Sequence, residues 1–171
     1  MHLIRAERSR LHRSMDPGLT LYGVWFAGLS LGLLAARSYG EPVTDLAMAA
    51  GTGSLSIAGA LVVTVLPLFL SAFAVFFFHR AGAYGACGLR GACLGFLLGG
   101  VYAAGGVWLC LLLSFSALCI SPVLLWFLGR RLRFGMTGFY GDLLWCTLWA
   151  AVISAVELWV CAPFLAAALL Y

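Results

Sequence analysis

Charge is what this chain has least of. Only 9% of its 171 residues are Asp, Glu, Lys or Arg, against roughly a quarter in a typical soluble domain. Lysine is missing altogether, so the ten basic residues are all arginine. Between Arg90 and Arg130 no charged residue occurs. The six cysteines contain no CxxC pair, and His2, His12 and His79 stand far apart along the chain. Each absence excludes something. A zinc or redox centre lacks its ligands, and no metal or other cofactor is expected. No disulfide framework is implied, because the cysteines lie mostly in apolar runs where thiols act as small hydrophobes. There is no long charged tail, and the arginines sit at the ends of apolar runs. They therefore mark membrane topology, and nucleic acid is not an expected partner.

What is present is apolar. Hydrophobic residues make up 64% of the sequence, and the mean hydropathy is +1.06. The expected fold is all-α: a polytopic transmembrane helical bundle of about five passes. Residues 1–171 form one integral membrane domain, with the lipid bilayer as its first partner.

The rest of the chain is organised around a central hairpin at 89–133. Arg90 opens it, and Arg130, Arg131 and Arg133 close it. The uncharged gap holds roughly forty residues, about twice the length of one crossing. Short basic segments stay on the cytoplasmic side, so the chain enters and returns, either as two full crossings or as two short helices meeting inside the membrane. The expected hinge is Gly99-Gly100-Val101-Tyr102-Ala103-Ala104-Gly105-Gly106, where paired glycines weaken the helix and permit close approach.

Residues 1–16 are basic and mildly amphipathic, read either as a helix on the cytoplasmic leaflet or as a tail that fixes orientation. They resemble the start of a signal peptide. The following apolar run, from Leu19 to about Ala36, has no A-x-A site beyond it and reads better as an uncleaved first span. Asp16-Pro17 supplies an N-cap and a first-turn proline. Gly23, Gly28 and Gly32 give that span a small-residue face for close packing. Glu41 and Asp45 place the next loop outside, with a short surface helix at Val43–Ala50. The second span runs from about Leu55 to Phe78, with Pro67 in its middle as an expected kink. Ala81–Leu89 reads as a glycine-rich cytoplasmic link. The last apolar run, Leu143–Leu170, is expected to break at Pro163. Five passes starting inside place Tyr171 outside the cell membrane.

Two carboxylates bear on chemistry. Glu157 is the only charge deep in an apolar run, where an unpaired carboxylate costs about 2.5–3.5 kcal/mol. It reads as a midplane proton or cation site or a partner for Arg90, or else as a protonated group fixing helix packing. Asp142 follows Tyr140-Gly141, but Asp142 and Glu157 are about 22 Å apart along one helix and cannot share a proton. Asp142 is instead favoured by a helix N-terminus. Ser114, Ser116 and Ser121 have no histidine to activate them in the membrane, and Gly51-Thr52-Gly53-Ser54 is too short for a phosphate loop. Enzymatic activity is not expected.

The order of signals resembles the stage II sporulation protein M family. Leu89-Arg90-Gly91, Gly95-Phe96, Gly99, Gly106, Leu112-Leu113-Ser114-Phe115 and Pro122 are similar to that family's hairpin. Leu66-Pro67 is similar to its Leu-Pro, and Glu157 followed by Pro163 to its closing Glu and Pro. The likeness covers Leu55 to the end. The outer loop is short by comparison, and 78–89 looks inserted. The resemblance implies a membrane scaffold that positions other membrane or cell-wall-remodelling proteins, such as peptidoglycan hydrolases during engulfment in sporulation. The alternative is a transport component, a permease subunit or homo-oligomeric channel, with a midplane site at Glu157.

Overall fold

The computed structural model describes residues 17–53, 56–161 and 163–164, and its elements are all helical, with no strand among the described residues. The basic segment 1–16 and the stretch 165–171 lie outside the described residues, as does any reading of which side the C-terminus occupies. Helix α1, Pro17–Tyr39, starts at its proline, whose missing N–H is tolerated in a first turn. It ends at Gly40, which takes a positive φ of 61°. Helix α2, Glu41–Gly53, is longer than the expected Val43–Ala50. Helix α3, Ile57–Leu113, opens with Ser56, whose hydroxyl accepts a hydrogen bond from the Gly59 amide at 3.0 Å, the usual N-cap geometry. Helices α4, Phe115–Phe134, and α5, Phe139–Val156, follow, and a π-helical turn, Glu157–Cys161, continues α5.

Four of these helices (α1, α3, α4 and α5 with its π turn) are long and apolar enough to cross a membrane. The longest does not run straight. The backbone of α3 leaves helical dihedrals at His79 (φ 50°, ψ −122°) and at Gly106 (φ 73°, ψ −164°). At His79 the chain folds back: Gly82 packs against the backbone of Ala74, eight residues earlier, so segments 57–78 and 80–105 run antiparallel. At Gly106 it folds back again, and Cys110 Sγ donates to the Leu98 carbonyl at 3.4 Å.

Two expectations are corrected here. Ala81–Leu89 is helical, and the reversal falls on the single residue His79. The glycines there looked like loop formers, but Gly82 and Gly88 lie against neighbouring helices, where small residues permit close approach. The second correction concerns the expected eight-residue hinge, of which only Gly106 departs from helical dihedrals. Pro67 lies inside the helix with helical dihedrals. Pro163 follows the wide π turn, which gives room to a ring that would clash with the carbonyl four residues back.

The tightest packing joins α1 to segment 80–105. A side chain added at Gly28 or Gly32 would fall on the backbone of Gly88 or Ala92, and one at Gly91 or Gly95 on that of Trp25 or Leu29. At Gly99 it would lie 2.6 Å from the Ala36 methyl. Residue numbers rise together along this seam, so the two segments are parallel. Of the three glycines read on α1, Gly23 does not take part, since a side chain added there would meet nothing within 4 Å. Leu68, Ala72, Leu124, Phe127, Leu128 and Cys146 fill the core beside the seam.

This geometry gives a graded test by unfolding in mixed detergent micelles. Gly28→Ala and Gly95→Ala should each lose about 1–3 kcal/mol by overpacking. Gly23→Ala should be neutral or gain up to about 1 kcal/mol from helix propensity. Equal effects at all three positions would show that the seam does not set stability.

Candidate functional site

Arg131, Asp142 and Glu157 are buried in the bundle and Arg90 is half-buried. They occupy three levels. At one end lie the His79 turn and the turn from α4 to α5, which together line a basic recess containing His79, Arg80, Arg131 and Arg133. The α4–α5 turn is made by Gly135 (φ 60°) and Gly138 (φ 68°), a left-handed conformation that side chains other than glycine's disfavour. That reversal brings the last turn of α4 onto the first turn of α5. Asp142 Oδ2 pairs with both Arg130 Nε, at 2.8 Å, and Arg131 Nη2. Arg131 Nη1 also donates to the carbonyls of Gly135, at 2.9 Å, and Thr137, at 3.1 Å. The rings of Phe127 and Phe139 flank its guanidinium at 5.7 and 5.8 Å, within cation–π range. Arg131 thus staples the turn from inside. Arg130 remains half-exposed between Trp126 and Phe134.

Arg90 lies deeper. Its Nη2 donates to the Ala117 carbonyl at 3.3 Å, an oxygen that also accepts from Ser121 Oγ at 2.8 Å. Its Nε is buried without a partner, and no described carboxylate pairs with it. Arg90 comes ten residues after the start of segment 80–105, and Ala117 thirteen before Arg130. At 1.5 Å per residue both routes place the guanidinium about 15–20 Å from the basic end. Two expectations are thereby corrected: Arg90 does not share a surface with the arginines at 130–133, and it does not pair with Glu157. The cause is the helical course of 81–89, which carries Arg90 inward.

The third level is at the far end, where segment 57–78 begins. The hydroxyls of Thr64 and Ser154 meet at 2.8 Å, and Ser154 also reaches the Ala60 carbonyl at 3.4 Å. Glu157 is one turn further on, fully buried, at the opening of the π turn. Cys119 and Cys161 lie within its electrostatic reach. It was expected at mid-span. Because α5 starts at Phe139, Glu157 stands about 27 Å from the basic end instead.

The remaining sequence candidates separate into groups. Pro67 shares a groove with Arg90 and Cys93. Gly95 and Gly99 belong to the α1 seam, and Gly106 makes the second reversal. Ser114 is buried at the junction of α3 and α4, its amide donating to Cys110 and its carbonyl accepting from Leu118. Pro122 and Pro163 are exposed. Asp142 and Glu157 sit at opposite ends of α5, so no carboxylate dyad forms. Among the described residues no three His, Cys, Asp or Glu side chains converge on one point. Sequence reasoning missed the Arg131–Asp142 pair and the Thr64–Ser154 clasp. Opposite charges on either side of a turn flanked by glycines were a usable signal for the first. For the second there was none, since the hydroxyls are ninety positions apart.

Comparison of the chain with known protein families, characterised proteins and solved structures finds no match.

The staple is testable by a double-mutant cycle. Asp142→Asn should cost about 3–5 kcal/mol, because it strands the buried charge of Arg131, and Arg131→Gln should cost less, because Asp142 keeps Arg130. Losing both should cost less than the sum. Arg130→Gln, at a half-exposed site, should cost no more than about 1 kcal/mol. Additive losses for the pair at 131 and 142 would contradict direct coupling.

Proposed function

We propose that the chain is an integral membrane scaffold of the cell membrane that positions partner membrane or cell-wall-remodelling proteins. One observation carries the reading: four buried polar side chains, and the half-buried Arg90, are spent on helix-to-helix contacts. Arg131 binds Asp142, Thr64 meets Ser154 and Arg90 reaches Ala117. This is what a fixed assembly platform requires, since polar pairs inside a bilayer hold helices together. The resemblance to the stage II sporulation protein M family supports the same reading, including hydrolases of the cell wall as the partner class. The two reversals in α3 support five passes, and the arginine placement supports a cytoplasmic basic end.

A transport component with its site at Glu157 has less support. That side chain is fully buried near the far end and lines neither the groove beside Arg90 nor the basic recess.

Topology can be read by labelling single cysteines, in a chain otherwise free of them, with an impermeant reagent on intact cells. A cysteine at Met136 should resist and one at Thr44 should react; labelling at 136 would reverse the proposed orientation. Function is separated by Glu157→Gln, which should keep protein level, partner co-purification and activity. Glu157→Leu should weaken packing by about 1–2 kcal/mol. An abundant, assembled but inactive Gln variant would favour transport and overturn the scaffold reading.

A further inference from the structure

A groove of about 610 Å³ opens between segments 57–78 and 80–105. Its walls include Pro67, Leu70, Ala81, Gly85, Leu89 and Arg90. Two features set this face apart. Gly82, Gly88, Gly91, Gly95 and Gly99 are each closed by a neighbour, whereas nothing lies within 4 Å of a side chain added at Gly85. Arg90, moreover, holds a charge with no carboxylate beside it among the described residues and a buried Nε without a partner.

A cation in the hydrocarbon is costly, and such residues pair with an opposite charge. No carboxylate among the described residues supplies one. Asp142 is held by Arg130 and Arg131, Glu157 is buried at the far end, and Glu41 and Asp45 lie on α2. Nor does the guanidinium reach the surface by snorkelling, because its hydrogen bond to Ala117 holds it at depth. A phospholipid phosphate stays at the membrane surface, about 15 Å away. What reaches Arg90 is a carboxylate carried at mid-membrane, and what fits against Ala81 and Gly85 is a helix at close approach. We infer that this groove docks one transmembrane helix of a partner protein, through an Asp or Glu near that helix's midpoint paired with Arg90. Taken with the scaffold reading, on which it rests, the groove is the place where a recruited partner is held.

The test uses the full chain in phosphatidylcholine vesicles, carrying a donor fluorophore. It is mixed with acceptor-labelled synthetic helices of about twenty-one Leu and Ala residues that bear a central Glu, Gln or Leu. The Glu helix should associate about tenfold more tightly than the other two. Arg90→Gln should abolish that preference, and Gly85→Leu, which fills the groove without touching the charge, should weaken association of the Glu helix. Equal affinity for the Glu and Gln helices, or an unchanged preference in Arg90→Gln, would overturn the site. So would Arg90-dependent binding of spin-labelled stearate with no helix association, which would give the groove to a fatty acid. In cells, partners that co-purify equally with Arg90→Gln would remove the groove and leave the scaffold standing. A wild-type chain that captures no partner while still binding the Glu helix would do the reverse.

Discussion

The backbone contact between α1 and segment 80–105 is the constraint from which the rest follows. With Gly28 and Gly32 on one side and Gly91, Gly95 and Gly99 on the other, two helices meet where no further side chain fits. Lipid tails are as apolar as leucine, so there is little hydrophobic force to drive helices together in a bilayer. Close packing and polar contacts do that work instead. The seam is also parallel, which obliges the intervening segment 57–78 to run back between its ends. It thereby sets where the chain must turn, and His79 takes a left-handed φ to make that turn.

Once the turn is at His79, the depths of the charged residues are set. Arg131 and Asp142 close the basic end, bound to each other and to the turn they hold. Thr64 and Ser154 clasp the far end. Arg90 is left between them with one carbonyl contact. A bundle clasped at both ends by such pairs, with a half-buried cation beside an open groove between them, offers that groove to a partner.

Much of this was legible in the sequence. Hydropathy and the arginine spacing marked the helical membrane class, the first and last spans and the basic end. Glycine spacing on α1 marked one side of the seam, although Gly23 proved irrelevant. The same reasoning failed at Ala81–Leu89. Glycine signals a loop in water and a contact face in lipid, and the residue type alone does not distinguish the two. The depth of Arg90 follows from the same point: a link at 81–89 would leave it at the surface, whereas a helix there carries it inward. Glu157 was misplaced for a related reason: its depth depends on where α5 begins, and the turn at Gly135–Gly138 starts that helix earlier than the apolar run suggested. The Thr64–Ser154 contact depends wholly on tertiary structure.

The central claim is that 80–105 is one helix entering the membrane from His79, with Arg90 deep inside it. The most direct measurement is the immersion depth of a nitroxide at position 89. Leu89 is exposed on the groove side, so a label there reports depth without disturbing the seam. Relaxation by oxygen against a water-soluble nickel chelate, in reconstituted vesicles, should place it about 15 Å below the phosphates, with labels at 81 and 85 progressively shallower. Labels at 81, 85 and 89 that are all equally open to the nickel chelate would make this stretch a surface link and contradict the account.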